Sequence, residues 1–294
     1  MPDSPALKGA LDGTPERALA GTTTLVLRPA NRATELVALI EQAGGQALVS
    51  PLISRAKISD DTRASLDSLT QDLGRFAWVA VTSVNAVDEL AQSIERTHPG
   101  VALRDAAQET RWASVGPATT RALETRGIVV NHEAAENSAA GLLASWPELP
   151  TQTAVPNPAQ PAGTTPNVLL PLGNLASTQL EEGLGGMGYR TTRITAYLTV
   201  SHPASEDALA AYRAGDVDAV IVTSGSGVRE FVKQFDPLAH SALTGTRPVV
   251  VAIGEPSART ANAMGLGVDT IAHNATNRGL FDALIRGFDL TKEK

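Results

Sequence analysis

The chain has no cysteine, which excludes disulfides, thiolate metal sites and thiol nucleophiles, and with them redox chemistry on the protein itself. Long apolar runs are missing too. Even the stretch Pro248 to Gly254 is interrupted within a few residues, far short of the ~20 residues that span a bilayer. Residues 1–20 mix Asp3, Lys8, Asp12, Glu16 and Arg17 with proline and glycine and lack the apolar core of a signal peptide. A cytoplasmic protein without membrane contact is expected. Positive charge is scarce, with 24 Lys and Arg against 31 Asp and Glu and a formal charge of -7. No Lys/Arg stripe is interleaved with aromatics, so nucleic acid is not an expected partner. An acidic small molecule would meet the same repulsion and would need local donors, such as helix N-termini and individual arginines.

Several motifs that announce chemistry are also missing. There is no GxxxxGK[ST], no HExxH and no GxSxG. His98, His132, His202, His240 and His273 are scattered, with no carboxylates at ligand spacing, and no metal or organic cofactor is expected. Gly225-Ser226-Gly227 begins like a dinucleotide fingerprint, but Glu230 stands where the third glycine belongs, so it reads as a tight turn. Asp60-Asp61, Glu133, Glu136 and Glu181-Glu182 read as solvated faces and nominate no acid/base pair.

What the chain does have is length and repetition. Its 294 residues are 43% hydrophobic and 19% charged, enough for one large domain or two modest ones. Phe76–Ser83 resembles Val217–Ser224. Val115-Gly116, Arg121, Gly127, Val130 and Gly141-Leu142 return at one constant offset as Ile253-Gly254, Arg259, Gly265, Val268 and Gly279-Leu280. A fainter pair joins Val26–Pro29 to Val168–Pro171, with Gly44 and Gly188 closing the segments that follow. Each half thus carries three related blocks. Each block is a short β-branched or apolar run, a Gly/Pro/Ser/Thr/Asn turn, then a helix-period segment such as 34–41 or 118–126. These are βα units, and their alternation predicts parallel sheets covered on both faces, with the loops in a row at the strand C-termini where ligands bind in such folds. Residues 1–20 and the Pro/Thr/Gln tract 149–166 do not repeat, and read as a flexible extension and a surface insertion.

The loops after the predicted strands supply the candidate binding residues: Arg28; Thr82, Ser83 and Asn85; Gly116 and Thr119; Ser138; Pro171 to Asn174; Ser224, Gly225 and Gly227; Gly254 and Ser257; and Thr276. Nearly all are small, hydroxyl-bearing or amide-bearing. Capping a helix is the ordinary work of such residues, but a duplicated set that leaves helix N–H groups free suits an anion with several carboxylates or phosphates. Arg28 follows a strand directly, where a guanidinium pairs either with a ligand carboxylate or with a neighbouring acid. Tyr197 lies in the strand-like run Ile194–Val200 and, with only three tyrosines in the chain, its phenol is the best-placed neutral proton donor; packing is the alternative role.

Taken together, LVLRPANRATELVALIEQAGGQALVSPLI, WVAVTSVNAVDEL, WASVGPATTRALETRGI, the run from LLP to Tyr197, VIVTSGSGVREF and VVAIGEPSARTANAMGL resemble the uroporphyrinogen-III synthase family, over residues 24–285. The individual motifs are loose, and their order and spacing are the specific part. The resemblance implies two similar flavodoxin-like α/β domains with parallel sheets, joined by two extended connectors, with a ligand cleft between them. Transferred to this chain, one domain is 21–52 plus 200–294 and the other is 55–197, with 149–166 inserted in the second. It implies a lyase that cyclises hydroxymethylbilane with inversion of ring D and loss of water, without cofactor. A monomer is implied, in transient contact with the deaminase that makes the substrate. The resemblance places Thr82, Ser83, Asn85, Thr119, Tyr197, Ser224, Gly225, Gly227 and Ser257 along the cleft, with Tyr197 as the acid for the departing hydroxyl. The chain departs from the family pattern at Leu172, where an arginine is common, and at Glu255-Pro256, where Pro-Thr is frequent. The competing readings are a two-lobed protein that only binds its ligand, and a glycosyltransferase with two nucleotide-binding lobes, for which no nucleotide loop is evident.

Overall fold

A computed structural model describes residues 18–107, 109–147, 165–245 and 247–292. The extension expected at 1–20 and the insertion expected at 149–166 lie almost entirely outside these residues. Eleven strands are described: β1 (Thr23–Val26), β2 (Gln46–Val49), β3 (Ile53–Ala56), β4 (Trp78–Val81), β5 (Arg111–Ser114), β6 (His132–Glu133), β7 (Asn167–Gly173), β8 (Arg190–Ser201), β9 (Ala219–Val222), β10 (Val249–Ala252) and β11 (Thr270–Ile271). The chain divides into two compact units, one from Met1–Ser54 and Ser201–Lys294, the other Arg55–Val200.

The first unit holds a five-stranded sheet in the order β11-β10-β9-β1-β2, with every pair parallel. Because successive side chains on a strand point to opposite faces, the all-buried runs of β9 (Ala-Val-Ile-Val) and β10 (Val-Val-Val-Ala) feed two cores. Val220, Val222 and Val250 pack with Tyr212, Phe231 and Ala261 on one face. Ala219, Ile221 and Val251 pack with Leu36, Ile40 and Phe281 on the other. Helices therefore cover both faces, as the near-continuous hydrophobicity of these strands requires.

The second unit holds a six-stranded sheet, β3-β8-β7-β4-β5-β6. Its β8-β7-β4-β5-β6 portion is parallel throughout and repeats the spatial pattern of the first sheet. Taking β7 and β8 as the counterparts of β1 and β2, both sheets have the 2-1-3-4-5 order of the flavodoxin-like class. Here too the central strand alternates. Val79 and Val81 pack with Leu90, Ile94 and Trp112, while Trp78 and Ala80 pack with Leu142, Leu170 and Leu184.

Two local expectations are corrected. Residues Pro171–Gly173, expected as a loop, complete β7. Proline is tolerated there because β7 pairs with β4 only through Val168 and Leu169, so the missing N–H lies beyond that ladder. The Gly225-Ser226-Gly227 run, expected as a tight turn, is the first turn of the helix Gly225–Phe235. Ser224 nucleates it by accepting the Gly227 N–H at 3.1 Å, a local bond that offsets the low helix propensity of the glycines.

Candidate active site

In each sheet the strand order reverses between the first strand and the third, and the loops leaving those two strands diverge to opposite faces, opening a crevice at the C-terminal edge. In the first unit that point lies between β1 and β9; in the second, between β7 and β4. The candidate residues sort accordingly. Arg28 leaves β1, Ser224, Gly225 and Gly227 follow β9, Gly254 and Ser257 follow β10, and Thr276 follows β11. On the second unit, Thr82, Ser83 and Asn85 follow β4, Gly116 and Thr119 follow β5, Ser138 follows β6, and Tyr197 lies on β8. Each unit thus gathers its own half of the set along one sheet edge. Thr119 and Ser257 are only 5% and 4% exposed, whereas Thr82, Ser83, Asn85, Ser138 and Ser224 are half-buried and Thr276 is exposed.

The caps are matched between units. Ser83 accepts the Ala86 N–H at 3.2 Å, as its counterpart Ser224 accepts that of Gly227. Ser138 accepts the Gly141 N–H at 3.0 Å, and Thr276 that of Gly279 at 3.0 Å. Gly141 and Gly279 are glycines for a steric reason. A Cβ at Gly141 would lie 2.3 Å from the Glu136 carbonyl oxygen, and one at Gly279 would lie 2.2 Å from that of Asn274. Gly116 is similarly crowded, with Asn137 Oδ1 at 2.3 Å from the position of a Cβ. Between β4, β5 and β7 the second unit has a depression of about 220 Å³. Thr82, Asn137, Ser138 and Ser177 line its polar side and Val115 and Leu172 its apolar side.

Tyr197 owes its position to a bulge. Leu172 on β7 faces Thr195 on β8, but the next residue, Gly173, faces Tyr197. Ala196 is the extra residue, and such an insertion re-aims the side chain that follows it. The phenol ring then lies directly over Gly173, where a Cβ would stand 2.7 Å from Cζ of the ring. The Ser83 hydroxyl donates to the Tyr197 phenol oxygen at 3.0 Å. With the Ser83 hydrogen given to the phenol oxygen, the phenol's own O–H is left to donate elsewhere. Asn174 locks the segment on both sides, accepting the Thr199 N–H at 2.8 Å and donating to the Thr199 carbonyl at 3.1 Å.

Gly173 and Asn174, visible in the sequence as turn-type residues after an apolar run, belong to this machinery. Asn137, in the loop that the sequence offers with Ser138, lines the depression; on the first unit Asn277, which the sequence does not nominate, accepts from Arg28. Asn277 carries no local signal, because its partner Arg28 is 249 positions away. Among the described residues no group of three or more His, Asp or Glu side chains is arranged to hold a metal ion, and no helix is long and apolar enough to cross a membrane.

Comparison with known proteins gives a consistent result. The family model described as Uroporphyrinogen-III synthase HemD matches residues 34–282. A chloroplastic uroporphyrinogen-III synthase of Oryza sativa subsp. japonica is 28% identical over 249 residues, 82% of this chain and 72% of that protein. Among solved structures, a mutant uroporphyrinogen III synthase of the extremely thermophilic bacterium Thermus thermophilus superimposes with a TM-score of 0.69 at 17% identity, covering 92% of this chain and 99% of that one. The uroporphyrinogen-III synthetase of Helicobacter pylori gives 0.51 at 13% identity, with the same coverage.

Proposed function

Because the chain belongs to the uroporphyrinogen-III synthase family, we propose that it is a hydro-lyase of tetrapyrrole (haem) biosynthesis that closes hydroxymethylbilane into the type III macrocycle. The family match over most of the chain carries this reading, and the Tyr197–Ser83 pair at the switch point of the second sheet supports it chemically.

The reaction begins with loss of the terminal hydroxyl. Tyr197 donates its free phenolic proton to that oxygen, the C–O bond breaks, and water leaves an azafulvenium cation stabilised by the pyrrole nitrogen. The substituted carbon of ring D attacks the cation to form a spiro intermediate, which fragments and recloses with ring D inverted. Rearomatisation releases one proton, which restores the phenol, so water is the only other product and no electron acceptor is required. Presenting the substituted carbon of ring D, not its unsubstituted neighbour, is a problem of positioning. The helix N-termini capped by Ser83, Ser138, Ser224 and Thr276, with Thr82, Asn85, Gly225 and Gly227 in those loops and Gly116, Thr119, Gly254 and Ser257 in the loops after β5 and β10, offer N–H and hydroxyl donors to the acetate and propionate side chains. An open-chain substrate that closes spontaneously has a short free lifetime, which favours direct transfer from the deaminase to a monomeric synthase.

The metal-stripped protein should convert hydroxymethylbilane mainly to the type III isomer, whereas the uncatalysed reaction gives type I. Separation of the two products decides the matter: a mixture unchanged by the protein would overturn the catalytic reading in favour of a protein that only binds. Ser83→Ala removes the donor to the phenol oxygen and a helix cap together. It should lower kcat severalfold and melt at a lower temperature, consistent with the ~1 kcal/mol typical of a lost cap.

A further inference from the structure

We propose that Arg28 and Arg32 form a carboxylate-binding subsite on the first unit, with Asn277 as the positioning residue that aims Arg28. The inference deepens the reading above and rests on it for the identity of the natural ligand, a tetrapyrrole side-chain carboxylate.

Arg28 leaves β1 at the switch point of its sheet. Its Nη1 donates to Asn277 Oδ1 at 2.7 Å, and its Nε is buried with no hydrogen-bond partner. Among the described residues no ion pair includes Arg28 or Arg32. Burial, and then the like charge of Arg32, hold the Arg28 guanidinium below its ordinary pKa, so the two cations are close enough to repel. A partly desolvated guanidinium beside a second one, with no acid in direct contact with either, is unfavourable for the free protein. In a chain of net charge -7, acids to pair with them are plentiful elsewhere. The arrangement is that of a site completed by an anionic ligand, for which a guanidinium fork is suited.

Asn277 decides where the fork points. Its Nδ2 donates to Glu35 Oε2 at 2.7 Å, and a carboxylate accepts only from the NH₂ end of the amide. The carbonyl end therefore faces Arg28. Glu35 thus acts through Asn277, orienting the arginine without neutralising it by direct contact.

Arg28→Met should raise KM for hydroxymethylbilane about tenfold, as loss of a charge-assisted hydrogen bond does, with kcat within about twofold and thermal stability unchanged or improved. Asn277→Asp puts a carboxylate against the guanidinium, though also beside Glu35; it should raise KM as much as Arg28→Met. A merely structural Arg28 predicts the reverse, namely a lower melting temperature for Arg28→Met at unaltered KM, and no KM effect of Asn277→Asp. Benzenehexacarboxylate, titrated at fixed ionic strength, provides a readout independent of turnover. It should raise the melting temperature of the wild-type protein and leave Arg28→Met and Asn277→Asp nearly unmoved. Equal shifts in all three would overturn the subsite even if the protein proves inactive, while absence of type III product with the differential shift intact would overturn the enzyme alone.

Discussion

Tyr197→Phe is expected to lower kcat by about 10²-fold, the lower end of the range for general acid catalysis, while leaving the type III isomer as the main product. The lower end applies because a hydroxymethyl group on an electron-rich pyrrole is already a good leaving group, and water can serve as a weaker donor. The substitution keeps the ring over Gly173 and removes only the oxygen that Ser83 bonds at 3.0 Å, so stability should change little. Single-turnover measurement with rapid oxidation and separation of the isomers reads rate and product together. A wild-type rate with ring closure limiting would make Tyr197 a packing residue. A folded variant yielding mostly type I would make it a residue that positions ring D. Gly173→Ala complements the test: its Cβ would fall 2.7 Å from the phenol Cζ, so the ring must move, and turnover should drop although the phenol is still present.

The largest expected loss of stability belongs to Gly279→Ala. Within a helix this exchange ordinarily stabilises, because alanine restricts the unfolded chain and has the better helix propensity. Here the added Cβ would lie 2.2 Å from the Asn274 carbonyl oxygen. That oxygen cannot retreat freely, since it accepts the Thr276 N–H at 2.8 Å, and Thr276 in turn caps Gly279. Relief requires opening the cap or shifting the first turn of the helix Asn277–Lys292 away from β10, for a loss of about 3 kcal/mol. Gly185→Ala is the control. It lies exposed in the helix Gln179–Gly186 with nothing within 4 Å of the new Cβ, and should gain ~0.5 kcal/mol. Urea unfolding midpoints of the two variants should move in opposite directions; a common direction would show that helix propensity outweighs the contact with Asn274.

Much of this molecule was legible from local pattern. All-apolar runs such as Val249–Ala252, each followed by a capping residue and a helix-period segment, read as parallel strands with covered faces because burial on both sides leaves no polar alternation. The paired blocks marked two sheets of one kind. Tyr197 stood out because it is one of three tyrosines and lies in a strand-like run. Some neighbouring features were read differently: Pro171–Gly173 looked like a turn, since nothing local shows that the β4 ladder stops before Pro171, and Gly225–Gly227 looked like one because of glycine's poor helix propensity, which the bond from the Gly227 N–H to Ser224 outweighs.

The sequence by itself determined the α/β class, the repeat and the capping chemistry at the end of each strand, because these depend on neighbours within a few residues. Tertiary structure alone decided that β1 lies beside β9 and β7 beside β4, since parallel strands cannot be joined by a tight turn and their partners are chosen by long-range packing. It alone placed the bulge that turns Tyr197 over Gly173 toward Ser83, 114 residues distant. It alone brought Asn277 to Arg28 across 249 residues. A hydrogen bond between residues so far apart leaves no trace in either segment, because each geometry exists only after the sheets have formed.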